Sequence, residues 1–210
     1  EVNAARKGFY EFLASMYKLE LTDEQIETLA KQDLPTDAEY VGAGYATVKE
    51  YLRHRDSGTR QELAVDYARV FLCAGMYEQL MAPPYESVYT SEGGLMMQDA
   101  YAEVLHVYRG AGFAKNPGFK EPEDHLAVEL AFMALLCGRA VEALRAGDEA
   151  GAERQLRAQR EFLSDHLLNW IDRFTSDVRK AAEDGFYFDL ATFTEDFLTA
   201  DAAELAEVLG

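Results

Sequence analysis

Residues Glu121 to Leu136 read EPEDHLAVELAFMALL, and this stretch decides the fold. A proline and three acids lead straight into the most apolar helical run of the chain. Proline suits a first helical turn, where its missing N–H costs nothing. Carboxylates near a helix N-terminus are favoured by the helix dipole, by roughly 0.3–1 kcal/mol each. Together these signals predict a helix from about Glu123 to Ala146, ended by Gly147-Asp148. It is apolar around much of its girth, so it is expected to lie centrally with other helices wrapped around it. His125 is left over by this account, because a cationic imidazole is unfavourable at a helix N-terminus. Asp124 beside it offers an acid–base pair, but adjacent helical residues diverge and do not make a dyad by themselves. Capping, binding and catalysis all stay open on the residues alone.

Working outward, helical periodicity dominates. Phe9, Phe12, Leu13, Met16 and Tyr17 mark an amphipathic helix over about Ala4–Lys18. Thr22 with Gln25 has the form of a capping box and opens a short helix through Ile26 and Leu29. After Pro35-Thr36-Asp37, a third helix carries Tyr40, Val41, Tyr45, Val48 and Leu52 and ends near Asp56-Ser57-Gly58. Thr59 with Glu62 reads as a second capping box, ahead of Leu63, Tyr67, Val70 and Phe71. Further helices are expected over Leu95–Arg109, Asp148–Phe174 and Val178–Leu198, with a break at Gly185, and a last one from Asp201. No stretch alternates with period two for long enough to make a strand, and no repeat indicates a solenoid. The expected fold is all-α: a single-domain bundle of about eight to ten helices. Gly110, Gly112, Asn116, Pro117 and Gly118 predict a hinge near 110–120, between an N-terminal part (1–110) and a C-terminal part (121–210).

Residues 73–94 break the helical pattern at Pro83-Pro84 and Gly93-Gly94, yet stay rich in large side chains. Four of the six methionines fall between residues 76 and 97. Such clustering suits either a small second core or an adaptable surface for apolar partners.

Composition narrows the function. The 210 residues carry a formal charge of −18, which repels phosphates and argues against nucleic acid while favouring basic partners. No secretory or membrane-spanning run is present, so no membrane insertion is expected, and the opening on Glu1 reads as a trimmed N-terminus. Cys73 and Cys137 lie in apolar helical contexts with neither CxxC nor zinc spacing, and are read as reduced, buried thiols of a cytoplasmic protein. There is no GxxxxGK[ST] run, no third glycine after Gly42-Ala43-Gly44 or Gly110-Ala111-Gly112, no HExxH and no GxSxG. A single ExxH pair, Glu103…His106, falls short of a bundle di-iron site, so no metal, cofactor or catalytic set is expected.

EPEDHLAVELAFMALL resembles the central motif of the TorD/DmsD-type redox-enzyme maturation chaperones, an EPxDH start followed by a helix containing ELxFM. Tyr67-Ala-Arg-Val-Phe71 ahead of Pro84-Tyr85-Glu86-Ser87-Val88-Tyr89 is similar to that family's YxxLF and PYESVY segments, with Val70 in place of Leu. Glu161-Phe162-Leu163 with His166-Leu167-Leu168 and Trp170 resembles its EFLxxHLLxW helix, and Phe186–Leu198 its FYxxLAxxTxxFL segment. The likeness runs in order over roughly residues 60–200, while the first 58 carry only helical periodicity. It implies a cytoplasmic, non-enzymatic chaperone that binds the twin-arginine signal peptide of a molybdenum-cofactor oxidoreductase of the DMSO/TMAO-reductase type, and holds it until cofactor insertion. It also implies a monomer or a domain-swapped homodimer. Its peptide-binding corner maps onto Pro122, Asp124 and His125. On physical grounds the carboxylates Asp124, Glu121 and Glu86 are expected to accept guanidinium forks, and Met76, Met81, Tyr85 and Tyr89 to hold the apolar part of the peptide. The rival readings are a helical module that binds the folded apo-reductase subunit, and a nucleotide or metal-dependent hydrolase.

Overall fold

The computed structural model describes residues 1–32, 34, 43–72, 81–182 and 184–210. The expected start of the third helix at Tyr40 and Val41, and Cys73 and Met76, lie outside the described residues. The described residues form ten α-helices and a π-helical turn joined by turns and loops, with no strand among them. The chain divides into two compact units: Glu1–Lys18, Pro84–Trp170 and Asp201–Gly210 form the first, and Leu19–Pro83 with Ile171–Ala200 the second. Residues 110–120 belong wholly to the first.

The first unit is built around α7 (Leu126–Arg145), packed chiefly on α1 (Val2–Lys18) and α8 (Glu149–Phe162). The expected central helix is therefore present. Leu130, Phe132, Met133 and Cys137 are buried along it, and Phe132 meets Tyr108, Phe113 and Phe162 with ring centroids 4.7–5.3 Å apart. Burial pushes the free Cys137 thiol up to about 12, so it stays protonated and inert. The short α5 (Glu86–Thr90) and α6 (Asp99–Gly110) complete this unit's helices up to the π turn (Leu163–Leu167). Arg6 of α1 forks onto Asp201, which also accepts the Tyr10 hydroxyl at 2.6 Å, all three side chains being buried.

In the second unit, α2 (Asp23–Lys31) opens on the expected capping box, with both reciprocal bonds formed by Thr22 and Gln25. Its C-terminal carbonyls are capped from α3 (Ala43–Arg53): the buried Lys49 ammonium donates to Leu29 O at 2.6 Å, to Ala30 O at 3.2 Å and to Gln32 O. Tyr67 and Phe71 of α4 (Thr59–Phe71) pack on Tyr187, and Phe71 also on Phe174 of α9 (Ile171–Ala182).

Four local expectations need correcting. Thr59 and Glu62 form no capping box: Asp56 Oδ1 instead accepts the N–H groups of Gly58 and Thr59 at 2.8 and 3.1 Å. The helix expected from Leu95 begins at Asp99, because Gly94 and Met97 take positive φ. The long helix expected over Asp148–Phe174 is interrupted by the π turn, whose Leu168 N–H reaches back to Leu163 O. Conversely, α10 runs unbroken from Phe186 to Leu209, because the stretch TADAAEL contains no helix breaker.

Candidate functional site

The site begins at the residues before α7. The helix starts at Leu126, later than Pro122 and the acids predict, and its N-cap is His125. The imidazole Nδ1 accepts the Ala127 N–H at 3.0 Å, which requires a neutral ring. Burial, with Lys115 nearby, depresses the His125 pKa to about 3, so the ring is neutral at ordinary pH. The leftover histidine is thus a cap, and the objection to a cationic imidazole at a helix N-terminus does not arise.

The segment that begins at Pro84 and the segment that begins at Glu121 are joined here by backbone pairing. Leu126 N–H donates to Pro84 O at 2.9 Å and Glu86 N–H to Asp124 O at 3.0 Å, an antiparallel bridge between Tyr85 and His125. Asp124 Oδ2 accepts the Ser87 N–H at 3.1 Å and so caps α5 from across the bridge. Tyr85 donates its hydroxyl to Glu121 at 2.6 Å and sets its ring edge-on to His125, with Phe119 edge-on to the same imidazole. Lys115 donates to Glu121 O and stands 3.3 Å from the Glu123 carboxylate.

Asp124, His125 and Glu86 are 0%, 2% and 1% exposed. The Glu86 carboxylate is engaged by Asn169 Nδ2 at 2.8 Å and His166 Nδ1 at 3.2 Å. Tyr85 is also buried, and the Tyr89 ring stacks on Trp170 at 5.4 Å. Glu121, Pro122 and Glu123 remain partly open to solvent. Met81 is exposed but belongs to the second unit, and Met76 is outside the described residues.

Sequence reading missed two features. One is Glu129, buried in the first turn of α7, with neither carboxyl oxygen hydrogen-bonded among the described residues. Burial, followed by the neighbouring Glu86 and Asp124 charges, raises its pKa well above the usual carboxylate range, and burial raises that of Asp124 too. The other is a cleft of about 490 Å³ between α1, the 113–119 turn and α7, floored by Ala14, Ala127 and Ala131 and walled by Phe113, Phe119 and Leu135. Lys7, Glu11, Lys18 and Lys115 also line it. The spacing of Ala127, Ala131 and Leu135 at i, i+4 and i+8 was a signal of this small-residue face. Among the described residues, no group of three or more His, Cys, Asp and Glu is placed to hold a metal ion. No helix among them is long and apolar enough to cross a membrane.

Comparison with known proteins supports the family resemblance. The family model described as "Nitrate reductase delta subunit" matches residues 34–176. The "Chaperone protein TorD" of Photobacterium profundum is 30% identical, over 97% of this chain and 95% of its own length. That of Vibrio parahaemolyticus is 28% identical over the same shares. The crystal structure of an Archaeoglobus fulgidus protein, assigned by its name to redox enzyme maturation, superposes with a TM-score of 0.54 at 21% identity, covering 96% of this chain and 93% of that one, and supports the fold alone. With the family model spanning most of its length and curated relatives matching nearly all of it, the chain belongs to the nitrate reductase delta subunit family, among the TorD-type redox-enzyme maturation chaperones.

Proposed function

We propose that this protein acts in the cytoplasm as a non-enzymatic chaperone that binds the twin-arginine signal peptide of a DMSO/TMAO-reductase-type molybdoenzyme and holds it until the cofactor is inserted. The observation that carries this reading is the shared edge, at Lys115 and Phe119, between the solvent-open acids Glu121 and Glu123 and the apolar cleft. A twin-arginine peptide is basic and then apolar, so one molecule fits both halves. A guanidinium fork binds a carboxylate in two places, and exchanges favourably for the single ammonium that Lys115 presents to Glu123. Buried Asp124, His125 and Glu86 then act by holding the corner in shape, with Pro122 at its surface and Tyr85 and Tyr89 bracing it from behind. The net charge of −18 accelerates encounter with the basic peptide.

Calorimetry with a synthetic twin-arginine leader of a trimethylamine N-oxide reductase tests this. Wild-type protein should bind, and more weakly as salt is raised. Ala131→Trp, which fills the cleft, and Glu121→Lys with Glu123→Lys, which reverse the edge, should each lose about tenfold or more in affinity. Asp124→Ala with His125→Ala should weaken binding by loosening the corner. A leader that does not bind, or binds the cleft-filled variant equally well, overturns the proposal.

A further inference from the structure

Leu95, Met96 and Met97 are consecutive and 60%, 43% and 57% exposed. Water-facing apolar side chains are ordinary when scattered, but three in a row on one turn form a patch. Met97 is the one non-glycine residue with positive φ among the described residues, at 57°, and Gly94 has φ 60°. A left-handed L-residue is strained, and so exposed a side chain makes few contacts to offset that strain. The turn is nonetheless tied down at both ends. Leu95 N–H donates to Ser91 Oγ at 3.2 Å, and Gln98 donates its N–H to Ser87 Oγ at 3.1 Å and its amide to Met96 O at 2.9 Å. Ser87 is itself fully buried and bonded to Asp124. The fold therefore anchors this knuckle to the motif corner and holds its apolar tip in water.

The surrounding charge selects the occupant. Glu92, Asp99 and Glu103 are exposed beside the tip, and the sequence has no Lys or Arg from Met81 to Tyr108. Acids there repel an anionic lipid surface, and a second copy of a chain carrying −18 repels itself. A fastened turn that projects three consecutive apolar side chains into water suits a hollow on a folded partner better than an extended peptide. We infer that the Leu95–Met97 knuckle docks into an apolar hollow rimmed by Lys and Arg on the folded body of the client enzyme, a contact separate from the leader site. Methionine's flexible thioether suits a tip that must fit a subunit still short of its final packing. The inference rests on the client class proposed above.

Binding to two probes separates the readings: apo-trimethylamine N-oxide reductase made without its leader, and the synthetic leader alone. The triple variant Leu95→Ser, Met96→Ser, Met97→Gly should lose about tenfold or more in affinity for the leaderless subunit while binding the leader as wild type does. Glu92→Lys with Glu103→Lys should weaken the subunit contact and its salt dependence together. Equal binding of the leaderless subunit by wild type and triple variant overturns the inference, as does a triple variant that changes only self-association or binding to anionic vesicles. If wild-type protein binds the leader but not the leaderless subunit, the knuckle contact falls and the leader reading stands. Binding of the leaderless subunit alone, lost in the triple variant, leaves the knuckle standing and removes the leader reading. Binding of neither removes both.

Discussion

The Nδ1 atom of His125 accepts the backbone N–H of Ala127 at 3.0 Å, so a buried, neutral histidine is the N-cap of the central helix. The EPEDH motif is therefore first a piece of architecture: its histidine starts α7, its aspartate caps α5, and its backbone pairs with the Pro84–Glu86 strand-like segment.

His125 makes folding stability pH-dependent. Its folded pKa, about 3, lies below the unfolded value of about 6.5, so the unfolded state binds the extra proton between these limits. Its contribution is complete above pH 6.5 and is lost as pH falls, by about 1.4 kcal/mol per pH unit. Urea unfolding at pH 7.5, 6 and 5 should show wild type losing stability faster than His125→Asn, which retains a capping side chain without the titration. Identical slopes would refute a buried neutral imidazole.

Glu129 has the opposite sign. Its folded pKa is raised, so its contribution is complete below the unfolded carboxylate value and is lost as pH rises through the folded one. Glu129→Gln keeps the shape without the ionisation, and its stability advantage over wild type should grow between pH 6 and pH 9 in denaturant melts. An advantage independent of pH would show that Glu129 is not held protonated.

Asp201 is a point of failure because two buried donors depend on it. Asp201→Ala leaves the Arg6 guanidinium and the Tyr10 hydroxyl without that acceptor, and should cost about 3–5 kcal/mol in chemical denaturation. Replacing both charges, Arg6→Met with Asp201→Leu, should recover most of the loss, since the penalty comes from an uncompensated charge.

Gly44 and Gly110 separate two uses of glycine. A Cβ at Gly44 would lie 2.8 Å from Phe193 Cβ and 2.9 Å from its Cα, where backbone cannot give way. Gly44→Ala should destabilise by about 1–3 kcal/mol despite its better helix propensity. At Gly110, the end of α6, a Cβ meets nothing within 4 Å, so Gly110→Ala should gain roughly 0.5–1 kcal/mol. The two thermal melts should move in opposite directions.

The elements were legible in the sequence because their signals are local. Apolar spacing marked α1 and α7, and Thr22 and Gln25 spelled the cap of α2, since one helical turn contains all the atoms involved. Boundaries failed where a distant partner intervened. Asp201 read as the start of a new helix but lies inside α10, held by Arg6 195 residues away. The long helix expected through Trp170 is broken by the π turn that Leu168 closes, and beyond it the Trp170 indole is satisfied by His166 O. The motif order also carried the family, because it depends on residue identity and not on spatial arrangement. What the sequence by itself determined was the all-helical class, a central Glu121–Leu136 segment and a strongly acidic surface. Only the tertiary structure decided that Asp124, His125 and Glu86 lie inside while Glu121 and Glu123 face water, and that an apolar cleft adjoins them. Burial is a property of what packs against a residue, and the residues that pack here come from segments up to 83 positions apart.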